Sequence, residues 1–133
     1  MEMLKTIILL IAYSISLIIA GHGIGPVGLL LLRGDFSVWG PAQIVGGVSV
    51  ISLLAITLSA TKQPDMITVI FRHLSLLGLY ASWILFVYTA AESSYSWRFI
   101  ATHLVLSLPF QLVWIYYLYR LVYEYRLRRT SSK

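Results

Sequence analysis

The chain has 133 residues, 59% of them hydrophobic and 11% charged, with a net charge of +5 and a mean hydropathy of +0.83. Soluble domains carry about 25% charged residues, and a soluble fold of this length has too little interior to hide so much apolar surface. The lack of cysteine excludes disulfides, thiolate metal sites and cysteine nucleophiles, and most of the basic residues stand at the ends of apolar runs, which argues against nucleic acid as a partner.

The first apolar run extends from Leu4 to Ala20. Its short basic start imitates a secretory signal, but Ile18-Ile19-Ala20 is a poor small-x-small cleavage site, so an uncleaved membrane helix is expected. Apolar character continues almost unbroken from Ile7 to Leu32, and as one helix this would be ~39 Å long, more than a straight crossing needs. Four glycines (Gly21, Gly23, Gly25 and Gly28), together with His22 and Pro26, interrupt it. The predicted first transmembrane helix covers about 4–25 and ends between Gly21 and Gly25. Residues 26–32 then form a short apolar turn or re-entrant piece that must be covered by other helices, because lipid cannot satisfy non-helical backbone. Gly21-x-x-x-Gly25 has the spacing of a close helix contact. The letters of a dinucleotide fingerprint at Gly23–Gly28 lack the strand, helix and soluble domain that motif requires.

Arg33-Gly34-Asp35 reads as a polar turn, Trp39 as an interfacial aromatic, and Pro41 as a first-turn proline. The second helix is predicted over about 42–61. Ala42, Gly46, Ser49, Ser52, Ala55 and Ser59 recur at steps of three or four and form a small-residue face, echoed by Ala12, Ser16 and Ala20. Such faces let helix backbones approach closely in lipid, so the first two helices are expected to pack on each other or on a second copy. Gln43 is placed near the outer end, within reach of water. Asp65, after Pro64, is the N-cap of a third helix over about 66–91. Arg72 and His73 lie two turns in, and Arg72 is expected to snorkel to the cytoplasmic surface. Tyr80, Trp83, Phe86 and Tyr88 make that helix aromatic. The fourth helix covers about 98–119, with a cytoplasmic extension to about 129 on which Glu124 and Arg128 are spaced i, i+4. Pro109 predicts a kink in it.

With both termini cytoplasmic, Lys5, Lys62, Arg72, Arg120, Arg126, Arg128, Arg129 and Lys133 fall on one side and Arg33 and Arg98 on the other. This is a strong positive-inside bias, and it fits an even number of crossings.

Two constellations carry chemistry. His103, Ser107 and Gln111 share one face of the fourth helix, as a polar path or as a hydrogen-bonded clasp. His22 and His103 fall at similar depth on different helices and would be the axial ligands of a haem b, against the simpler reading that each bonds a neighbour in the bundle. The five acids all lie near segment ends, and no hydrolytic triad, zinc motif or phosphate loop is present.

The sequence therefore predicts an all-α, single-domain polytopic membrane protein spanning 1–133: four transmembrane helices, up-down-up-down, broken after the first and kinked in the fourth. The expected role is a small non-catalytic integral membrane subunit, without a cofactor, that oligomerises or joins a larger membrane complex. The alternatives are an oligomeric channel or transporter using the fourth-helix stripe, and a haem- or quinone-linked redox anchor. The expected location is a prokaryotic inner (plasma) membrane, with both termini cytoplasmic.

Overall fold

The computed structural model describes residues 2–20, 23–32, 36–59, 65–91 and 96–131. In chain order these form α1 (Glu2–Ile15), β1 (Leu17–Ala20), β2 (Gly23–Pro26), α2 (Val27–Leu32), α3 (Phe36–Ser59), α4 (Met66–Ala90), α5 (Trp97–Leu106) and α6 (Leu108–Ser131). Helix dominates, as expected. Among the described residues, two segments, Gly40–Leu58 and Met66–Ala90, are long and apolar enough to cross a membrane. α5 and α6 combine the needed length and apolar character only as a pair, Trp97–Leu106 with Leu108–Leu127, and they are bent by 71°. α1 is apolar but short, 14 residues, or ~21 Å.

The first correction concerns α1, which stops at Ile15 rather than at residues 21–25. Ser16 turns its hydroxyl back onto the Ala12 carbonyl at 3.0 Å and its N–H onto the Tyr13 carbonyl at 3.2 Å. The chain then folds into an antiparallel hairpin, with Leu17 opposite Pro26 and Ala20 opposite Gly23. Leu17, Ile18 and Ile19 suit a strand. Pro26 cannot donate to the ladder, and the Val27 N–H closes it on the Ser16 carbonyl at 2.8 Å. The hairpin bonds its own backbone and packs against α4 and α5, which meets the requirement for cover. Gly25 makes no close helix contact: a Cβ there would meet nothing within 4 Å. Gly28 does, because α2 lies on α1 so tightly that a Cβ on Gly28 would fall 2.9 Å from the Ser14 Cβ. Gly21 and His22 lie outside the described residues.

The contacts give the helices alternating directions. α1 runs antiparallel to α6, with Thr6 bonded to Tyr117 and Tyr13 packed on Phe110. It also runs antiparallel to α3, since Thr6 meets Thr57 while Tyr13 lies beside Gly46. α4 is antiparallel to α6 through Leu76–Trp114 and Tyr80–Phe110, and to α3 through Ser82–Ala42 and Gly78–Ser49.

Polarity is inverted relative to a soluble bundle. Ile44, Val48, Ile51 and Leu58 of α3 and Ile67, Ile70, Leu74 and Leu77 of α4 are exposed, whereas Thr6, Ser16, Ser49, Ser75, Ser82, His103 and Ser107 are buried. An apolar solvent permits this arrangement, since only the hydroxyls then need partners from within the protein.

The small-residue face of α3 holds in its first half only. Ala42, Gly46 and Ser49 are buried, but the buried line then passes to Leu53, while Ser52 is half-buried and Ala55 exposed. At 3.6 residues per turn, Ser52 and Ala55 stand roughly 80–140° around the helix from Ala42; the side chain of Ser59 lies outside the described residues. The face packs chiefly on α4, not on α1: Ser49 fits against Gly78, and Gly46 against Ser82, Tyr13 and Leu31.

Three further residues sit differently from expectation. Pro41 is inside α3, because the helix begins at Phe36. Gln43 is buried, and its amide donates to the Leu30 carbonyl at 2.7 Å, binding the end of α2 to α3. Arg72 is 4% exposed and so lies within the bundle rather than snorkelling. Glu124 meets Arg120 at 3.5 Å and Lys5 at 3.6 Å, and the Arg128 side chain lies outside the described residues. Asp65 caps α4 as predicted, accepting from the Thr68 N–H at 2.9 Å.

Candidate functional site

The candidate site is the polar interior, and it has three parts. The first is the predicted stripe. Pro109 was expected to kink the fourth helix; instead the helix breaks two residues earlier, at Ser107. Pro109 provides no N–H, and a proline disfavours helical geometry in the residue before it. Ser107 belongs to the hydrogen bonding of both pieces: its N–H closes α5 on the His103 carbonyl, and its carbonyl opens α6 by accepting the Gln111 N–H, both at 3.0 Å. The three side chains follow the same path. The Ser107 hydroxyl donates to the His103 carbonyl at 2.7 Å, and the Gln111 amide donates to the Ser107 Oγ at 3.2 Å. His103 gives its Nδ1–H to the Phe99 carbonyl at 2.9 Å, with its ring 4.2 Å from that of Phe99. His103 and Ser107 are fully buried. These bonds stitch a broken helix to itself.

The second part joins α1, α3 and α4. Ser82 donates its one hydroxyl proton to the Ala42 carbonyl at 2.7 Å. The Tyr13 hydroxyl, 2.7 Å from Ser82 Oγ, is therefore the donor in that bond. The third part joins α1, α3 and α6 by the same logic. Thr57 donates to the Leu53 carbonyl at 2.7 Å, so it accepts from Thr6 at 3.1 Å, and Thr6 in turn accepts from Tyr117 at 3.1 Å. Both chains run one way and end on an α3 carbonyl. Thr6 and Tyr13 are seven residues apart, ~10 Å along α1, and the layer between them holds the buried Leu9, Leu53 and Phe110.

These hydroxyl chains were missed in the sequence because a lone Thr, Ser or Tyr in an apolar run carries no spacing signature. The usable signal was Thr6 and Tyr13 recurring at i, i+7 on one face of α1.

Of the two histidines expected as haem ligands, His103 lies buried in α5 and His22 lies outside the described residues. Among the described residues no three His, Cys, Asp or Glu side chains converge. A polar recess between Lys5, Tyr117, Arg120 and Glu124 has a volume of about 10 Å³, room for roughly one water. The larger concavities are shallow, apolar and open to the side.

Gln111 bonds Ser107, at the break just before its own helix, and no more distant segment, so its replacement is expected to be mild. Gln111→Leu should cost no more than the ~0.6–2 kcal/mol of a hydrogen bond in lipid, and the protein should fold; thermal unfolding in detergent measures this. If the stripe lines a path, Gln111→Leu and His103→Leu should each fold normally yet abolish transport.

No protein-family model, curated protein or solved structure matches this chain.

Proposed function

We propose that the chain is a small non-catalytic integral membrane subunit, crossing the bilayer four times with both termini cytoplasmic, that assembles with copies of itself or with a larger membrane partner. One observation carries this reading over a conduit. Each interior hydroxyl chain is directional and ends on a backbone carbonyl, which accepts a hydrogen bond but cannot hand a proton on. A layer of buried apolar side chains, Leu9, Leu53 and Phe110, separates the two chains. The inverted polarity supports a lipid environment, and the alternating helix directions support up-down-up-down topology. The apolar, shallow outer face of α3, from Gly40 to Leu58, is available for assembly.

Two measurements test the proposal. A reporter active only in the cytoplasm should be active after Lys133 and silent when placed between Glu92 and Trp97; the reverse pattern defeats the topology. Purified protein should run larger than a monomer in mild detergent or carry a stoichiometric partner, and should leave proton and ion gradients of proteoliposomes intact. A monomer that dissipates such gradients would instead establish the conduit. A haem Soret band in the purified protein would establish the redox anchor.

A further inference from the structure

The first turns of α4 and the last turns of α6 diverge, and the groove between them measures about 310 Å³. Val69, Ile70, His73 and Leu74 form one wall and Val122 and Tyr125 the other. Two polar handles interrupt these apolar walls. His73 Nδ1 lies 2.7 Å from the Val69 carbonyl. A carbonyl only accepts, so in the neutral ring the proton sits on Nδ1 and Nε2 is a bare acceptor. The two ring nitrogens diverge, so Nε2 is turned away from the Val69 bond. On the opposite wall Tyr125 brings a phenol, which can donate or accept. Among the described residues neither Nε2 nor the Tyr125 hydroxyl makes a hydrogen bond. His73 stands roughly 10 Å along α4 from Met66, nearer one end of this membrane-length helix than its middle.

These walls select among occupants. The volume is at the low end of the ~300–1,000 Å³ of small-ligand clefts, and a second helix, ~10–12 Å across, would not seat in it. A bare acyl chain would cover both handles with hydrocarbon and leave them unbonded. A phosphate, an ester or a quinone carbonyl presents only acceptor oxygens, which Nε2 cannot bond. A hydroxyl on an apolar body does satisfy Nε2, and a quinol carries two of them on opposite edges of one flat ring, one for each wall. We infer that this groove binds a membrane quinol, with one hydroxyl donating to His73 Nε2, the other bonded to Tyr125, and the tail leaving sideways along the apolar walls. The reduced form is therefore preferred to the oxidised one. The inference rests on the membrane reading above, because the bilayer supplies the ligand, but not on which way the chain faces or what it assembles with.

Anaerobic native mass spectrometry of the detergent-purified full chain tests it. The probes are a short-tailed quinol, the matching quinone, the quinol's dimethyl ether and a diacylglycerol. The wild type should retain the quinol about fivefold better than the quinone or the ether, the worth of one net hydrogen bond. His73→Phe keeps a ring and removes the acceptor, so it should lose that preference. Ile70→Trp, a change at an exposed position that fills the groove, should lower retention of the quinol, the quinone and the ether alike. Equal retention of quinol and quinone by the wild type, a preference that survives His73→Phe, or no effect of Ile70→Trp would each overturn the site. A diacylglycerol retained as well as the quinol would overturn the quinol as its occupant. Binding in micelles does not depend on orientation, so failure of the reporter experiment would leave this result standing, and the converse also holds.

Discussion

Gly46→Leu will cost about 3 kcal/mol or more and release α3 from α1 and α4, while the same change one residue later, at Gly47, will be nearly neutral. A Cβ on Gly46 would lie 2.5 Å from Ser82 Oγ and 2.8 Å from both the Tyr13 hydroxyl and Leu31 Cδ2. These atoms come from three elements, and two of them belong to the Tyr13–Ser82–Ala42 chain, so no single rotamer change relieves the clash. Overpacking a dense core costs ~1–3 kcal/mol even before hydrogen bonds break. A Cβ on Gly47 would meet nothing within 4 Å, and a leucine there even gains ~1 kcal/mol of helix propensity. Denaturation in mixed micelles compares the pair; equal midpoints for the two variants would mean that α3 does not pack as described.

Phe110→Ala will be the most damaging truncation. Phe110 is fully buried, with its ring 5.2 Å from that of Tyr13 and 6.2 Å from that of Tyr80, so it fills the layer where α1, α4 and α6 meet. In a soluble protein Phe→Ala costs ~3–5 kcal/mol, partly for lost transfer into an apolar interior and partly for the cavity. In lipid the transfer component shrinks, because the unfolded side chain is also among hydrocarbon. The cavity component stays, which leaves about 2–3 kcal/mol. Leu112→Ala, two residues on and 60% exposed, should cost well under 1 kcal/mol by the same assay. A similar loss for both would show that Phe110 faces lipid.

The helices were legible in the sequence wherever composition and period agreed. Met66–Ala90 was predicted almost to the residue because Pro64 and Asp65 punctuate its start and a continuous apolar run fills it. The contribution of Pro109 was read correctly in kind and underestimated in degree, since a sequence shows a missing N–H but not the serine that lets a helix end and restart. Glycines 21–28 announced a break without announcing a hairpin, because strand pairing depends on what covers it, here α4 and α5. The small face of α3 was followed too far, because steps of three drift off a 3.6-residue period. Of the polar interior, the spacing of His103, Ser107 and Gln111 was visible on one helix. The hydroxyl chains were not, because each is assembled from three segments far apart in the sequence.

The end of α1 at Ser16 and the restart of α6 after Ser107 lie one turn beyond Tyr13 and Phe110, which touch, so both helices stop at the same depth. α3 and α4, of 24 and 25 residues, could match a full hydrocarbon thickness of ~30 Å with length to spare. α1, at ~21 Å, falls short. If the chain crosses the bilayer four times as proposed, it offers two thicknesses, one on each flank, with the hairpin and α5 extending the shorter flank through backbone that bonds to itself. Hydrophobic mismatch costs only fractions of a kcal/mol per ångström, but here it has a direction. On the four-crossing reading, the mismatch is confined to the α1–α6 flank, where the hairpin and α5 must supply the remaining thickness, and is absent from the α3–α4 flank.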